Sequence, residues 1–115
     1  MHKFRELKVW NKAMLIVEST YEISRDLLAN EKFNFTSQIT RSALSIPSNI
    51  AEGAGRETNK EFCRFLDIAI GSSFELETQL ILVERIFNVK TDKLILEIQD
   101  LQRMTNALKR SKLSK

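Results

Sequence analysis

Residues 62–87 read FCRFLDIAIGSSFELETQLILVERIF, and within them Phe62, Leu66, Ala69, Ser73, Leu76, Leu80, Val83 and Phe87 recur alternately four and three apart. That spacing places one side chain per turn on a single stripe of an α-helix. A half-buried strand would instead alternate with period two, which the segment does not do. Thr58 or Asn59 can cap the segment, and Glu61 falls in its first turn. The spacing therefore predicts a helix over 58–87, roughly 45 Å long at about 1.5 Å per residue.

The same periodicity extends in both directions. Leu7, Trp10, Met14, Val17, Tyr21, Ile23 or Ser24, and Leu28 mark a first helix over 7–29, followed by a connection at Asn30 to Asn34. Thr36 is a suitable cap for a second helix over 36–54, with Ile39, Ala43, Ile46, Ile50 and Ala51 inward. Pro47 lies inside it and should kink it near 43–46, with Ser45 and Ser48 bonding the backbone groups it frees. Gly53 and Gly55 end it. Asn88-Val89-Lys90 turns the chain, and Thr91 or Asp92 opens a fourth helix over 92–110 whose seam is Leu94, Ile98, Leu101, Thr105 and Leu108; the tail after Lys109 should fray. Short connections make successive helices antiparallel, so the expected fold is all-α, one up-and-down four-helix bundle domain over 1–115.

Composition agrees with this reading. At 115 residues, 43% hydrophobic and 29% charged, the chain can fill one core without disulfide or metal staples. Three glycines and one proline leave few places for turns. No apolar run is long enough to span a bilayer, and the charged start lacks a signal-peptide core, so a cytoplasmic protein with no membrane partner is expected. The third helix is apolar around most of its circumference at Leu80-Ile81-Leu82-Val83 and Ile86-Phe87, and the first at Met14-Leu15-Ile16-Val17. A helix apolar on all sides is buried on more than one, so a homo-oligomer is expected to use the surplus.

Catalytic chemistry is hard to place. The one histidine, His2, stands in an N-terminal stretch expected to be mobile, so His-dependent triads and histidine-rich metal sites are not expected. Phosphate-loop, dinucleotide and zinc patterns are missing too. The expectation is a non-enzyme without cofactor or metal, in which Cys63 is a packing residue. Net charge is only +3, but Arg85–Lys115 holds eight Lys or Arg against three acidic residues. Cations at a helix C-terminus ordinarily complement its dipole; they also suit phosphate. Arg56, Lys60, Arg64, Lys109, Arg110 and Lys112 are the candidate nucleic-acid contacts. Trp10 reads as core, and Phe33 and Phe35 as seals at one end of the bundle.

Folding the second and third helices about a turn near residue 57 sets opposite residues whose numbers sum to about 114. Ala43 then faces Gly71, where backbones could approach closely. The same register pairs Arg41 with Glu75 and Glu52 with Arg64, two interhelical ion pairs that would fix it.

Phe4-Arg5-Glu6-Leu7-Lys8-Val9-Trp10, Thr36-Ser37-Gln38-Ile39-Thr40-Arg41-Ser42-Ala43, the segment from Ser45 to Arg56 and that from Ala69 to Glu77 occur in this order. With them the chain resembles a bacterial family called four-helix bundle proteins, or 23S ribosomal RNA intervening-sequence proteins. The resemblance implies an up-and-down bundle and a ring-shaped homopentamer, encoded in insertions within 23S ribosomal RNA genes or elsewhere. A related branch, the accessory variability proteins of diversity-generating retroelements, binds reverse transcriptase and nucleic acid. The reading that follows is a non-enzymatic oligomer that binds RNA or other nucleic acid. The alternative is a protein–protein adaptor or scaffold.

Overall fold

The computed structural model describes residues 1–28 and 33–114, apart from the side chains of Leu28 and Phe33. The expected connection after the first helix, the Leu28 seam position, the sealing role of Phe33 and the end of the tail at Lys115 fall wholly or partly outside these residues. A single 3₁₀ turn, Phe4–Glu6, precedes α1 (Lys8–Leu28), α2 (Phe33–Ala54), α3 (Asn59–Phe87) and α4 (Asp92–Leu113). The described residues measure 48 × 19 × 19 Å, a rod whose length follows from the 29 residues of α3.

The core is one cluster fed by all four helices, including Ile16, Leu27, Ile39, Ile46, Ile50, Phe62, Leu66, Leu76, Leu80 and Ile98. The expected stripe of α3 is buried from Phe62 to Val83, and Phe87 is half-buried. In α4, Leu94, Ile98, Leu101 and Thr105 are buried as expected, with Leu108 packed on the core's edge. Phe35 meets Phe87 edge-on at 5.4 Å and closes the end of the α2–α3 contact, as a seal should.

The stripe of α1 is corrected by one position. Val9, Ala13, Ile16, Thr20, Ser24 and Leu27 face inward, whereas Met14 and Tyr21 are exposed. A helix apolar on most sides offers two possible stripes, and the one carrying small residues lets the backbones approach. Thr20 is admitted because its hydroxyl donates to the Ile16 carbonyl at 2.7 Å.

Helix ends differ in detail. Thr58 caps α3 as expected, its Oγ1 accepting from the Glu61 amide at 3.1 Å. Asn88 ends α3 in the left-handed region (φ 59°), with its N–H on the Glu84 carbonyl. Thr91 does not cap α4 with its side chain. Its amide donates to Glu84 Oε1 at 2.9 Å, and its hydroxyl lies 3.1 Å from that oxygen and from the Leu80 carbonyl, tying the turn to α3. Thr36 lies inside α2, where its carbonyl accepts from Thr40 Oγ1, so the helix opens three residues earlier than its best capping residue. The helix α2 runs on through Pro47, and Ser48 donates to the Leu44 carbonyl at 2.8 Å.

The register of α2 against α3 is also corrected. Ser45 bonds Ser72 at 2.8 Å, and Gln79 bonds Gln38, pairs whose numbers sum to 117 rather than 114. The close-packing glycine is consequently Gly53. A Cβ placed there would lie 2.6 Å from the Phe65 Cβ, 3.0 Å from Phe62 Cδ1 and 3.2 Å from the Phe62 carbonyl oxygen. Gly71 is exposed, and a Cβ there would meet nothing within 4 Å.

These two glycines should respond oppositely to alanine. Gly53→Ala overpacks the crossing and should lower stability by about 1–3 kcal/mol, less the gain from better helix propensity. Gly71→Ala removes only the helix penalty and should stabilise by about 0.5–1 kcal/mol. Urea denaturation followed by circular dichroism reads both; midpoints that move in the same direction would refute the assignment.

Candidate nucleic-acid interface

The turn after α2 begins the site. Gly55 N–H and Arg56 N–H bond the carbonyls of Glu52 and Gly53, so the chain reverses tightly and Thr58 starts α3 at once. Because the bundle alternates up and down, the end of α4 returns to the same pole. Asn59 Nδ2 donates to the Lys112 carbonyl at 3.5 Å, and Cys63 Sγ lies 3.7 Å from that of Lys109. These contacts explain why α4 remains helical to Leu113 instead of fraying after Lys109.

Arg56, Lys60, Arg64, Lys109, Arg110 and Lys112, drawn from two remote sequence segments, are thereby gathered at one pole. Lys60, Arg64 and Arg110 are exposed, Lys112 is half-buried, and none of the four takes part in an ion pair among the described residues. Lys109 is partly committed, with its ammonium 2.5 Å from Asp67 Oδ1. Arg56 bonds Glu52 through Nη2 at 2.7 Å and lies over the Phe65 ring at 4.8 Å; Arg64 approaches the same ring at 5.9 Å.

The N-terminal segment adds cations that spacing did not place. The His2 amide donates to the Ala54 carbonyl at 2.8 Å, and its ring packs against Phe62 at 4.9 Å. This fastens residues 1–7 across the pole and leaves Lys3 and Arg5 exposed beside it. No periodicity in so short a segment indicates which end it covers, although Phe4, packed edge-on to Trp10, was a usable apolar anchor.

Neither proposed interhelical ion pair is found. Glu52 pairs with Arg56 one turn along its own chain, not with Arg64. Arg41 and Glu75 line one shallow groove of about 280 Å³, with Asn34, Ser37, Gln38, Ser42 and Gln79, but no ion pair joins them. Both proposed pairs sum to 116, one short of the observed 117, and one residue turns a side chain about 100° around the helix, off the facing position. The α2–α3 contact is zipped instead by neutral hydrogen bonds, Ser42 to Gln79 and Ser45 with Ser72.

The rest of the surface differs in character. A groove of about 620 Å³ between α1 and α4 is rimmed by Glu18, Glu22, Asp26 and Glu97, with Lys90 and Lys93. Lys12 bridges α1 to α4 through Glu97. Among the described residues no group of His, Cys, Asp or Glu could hold a metal ion, and no helix is long and apolar enough to cross a membrane. Burial pushes the Cys63 thiol above its ordinary pKa, which keeps it protonated and unreactive in its packed position.

Comparison with known proteins places this geometry in a family. A solved structure of a protein of unknown function, from the S23 ribosomal protein family of Bacteroides thetaiotaomicron VPI-5482, superposes with a TM-score of 0.82. It is 21% identical, and the match covers 87% of this chain and 96% of that one, a likeness in fold. No curated protein sequence matches the chain. The family model described as 23S rRNA-intervening sequence protein matches residues 5–108, and the chain belongs to that family.

Proposed function

We propose that this protein is a non-enzymatic, cytoplasmic, homo-oligomeric binder of RNA that uses the basic pole. One observation carries the reading: two remote segments, 56–64 and 109–112, deliver Arg56, Lys60, Arg64, Lys109, Arg110 and Lys112 to one end, and four of these cations have no carboxylate partner among the described residues. The family's link to intervening sequences in 23S ribosomal RNA makes structured RNA the first target to test.

A single pole with four free cations binds phosphate weakly at physiological salt. Assembly changes this, because each added subunit contributes another pole at high effective concentration. The surface has what assembly needs. Phe74 and Ile86 on α3 are 54% and 56% exposed and Leu96 on α4 is 62% exposed, alongside Ile81 and Leu82. Such apolar area on adjoining helices favours contact with another copy, and the family resemblance makes a pentamer the expected closed form. The same apolar surface is what an adaptor would use, and salt dependence separates the two readings.

Fluorescence anisotropy with a ribosomal RNA hairpin should show binding at low salt. Four phosphate contacts per chain imply a fall of about a hundredfold between 50 and 200 mM salt. Reversing Lys60, Arg64 or Arg110 to Glu should each flatten the logarithmic salt slope by about one. An absence of binding at low salt would remove the RNA reading and leave the adaptor. Light scattering should give a mass several times that of the 13.3 kDa chain, and Ile86→Glu should lower it without loss of helicity. A monomer at micromolar concentration contradicts the assembly.

A further inference from the structure

Resting on the RNA reading above, we infer that the basic pole takes the sugar–phosphate backbone of double-helical RNA in preference to single strands. The inference comes from what the aromatic rings at this pole are doing. Sequence-tolerant binding of single strands combines a basic track with aromatic faces on which successive bases stack. The basic pole has the cations, but its rings are already occupied.

Phe62 is 1% exposed and packs on the His2 ring. Phe4 and Trp10 meet edge-on at 5.2 Å, both packed against the core. Phe65, half-buried, has the Arg56 guanidinium 4.8 Å from its centroid and Arg64 within 5.9 Å. Gly53 under the Phe65 Cβ holds that ring down against the α2 backbone. The large exposed rings, Tyr21 and Phe74, lie on the flanks in the middle of α1 and α3, remote from Arg56 and Arg110.

A pole that presents Lys3, Arg5, Lys60, Arg64 and Arg110 without an open ring gains nothing from unstacked bases. Its binding scales with phosphate density, which is higher along a duplex than along one strand. A-form RNA also carries its phosphates and 2′-hydroxyls on a surface readable without side chains entering the deep groove. Exposed lysines and arginines suit that surface, and sequence discrimination should be slight.

The test compares a hairpin-free RNA duplex of about 20 base pairs with an unstructured pyrimidine strand of equal length, by competition at one low salt concentration. The duplex should bind about fivefold or more tightly, and exchanging its sequence should change affinity by less than about twofold. Single-strand affinity equal to or above that of the duplex overturns the inference. The variant Phe65→Leu keeps apolar bulk and removes the π-face. Through its hold on Arg56 and Arg64 it should lower both affinities by the same factor; a loss confined to the single strand would make Phe65 a base platform and also overturn the inference. Failure of both RNAs to bind sinks the RNA reading itself, a result distinct from either of these.

Discussion

Much of this bundle depends on the place where α2 passes α3 at Gly53. Without a side chain there, the α2 backbone lies directly against Phe62 and Phe65. The crossing sits one turn from the reversal at Gly55 and Arg56, so it sets the register before the two helices have diverged. Every later pairing inherits it, from Ser45 with Ser72 to Gln38 with Gln79. The same contact holds Phe65 where Arg56 and Arg64 can lie over its ring, so the packing constraint and the charge arrangement have one origin.

How much of this the sequence disclosed follows from the strength of each signal. The stripe of α3 was plain because large apolar residues repeat over seven turns, and an error of one position would bury charge. In α1 the signal was double, and the larger residues, Met14 and Tyr21, proved to be the exposed ones. Burial there was decided by Ala13, Thr20 and Ser24, whose small size permits close approach; the Thr20 and Ser24 hydroxyls bond their own helix.

Register was the least legible property. Opposite charges at plausible spacing suggested Arg41 with Glu75 and Glu52 with Arg64, yet exposed ion pairs are worth too little to set a helix contact. Two glycines were available as the crossing point, and no period distinguishes Gly53 from Gly71. The basic pole was legible for a different reason. Up-and-down topology must return the end of α4 to the α2–α3 turn, so Lys109, Arg110 and Lys112 join Arg56, Lys60 and Arg64 whatever the exact register. The N-terminal contribution was not legible, because three residues of 3₁₀ turn and a single amide bond to Ala54 carry no periodic trace.

The fastening of His2 to Ala54 puts the first and last described residues at the same end of the rod. Anything joined to either terminus, whether an affinity tag, a fluorophore or a fusion partner, would stand over the cationic surface and compete with a ligand for it. The opposite end, where α3 turns into α4 through Asn88 and Thr91, offers an attachment point about one bundle length away. A label built there would report on the pole without covering it.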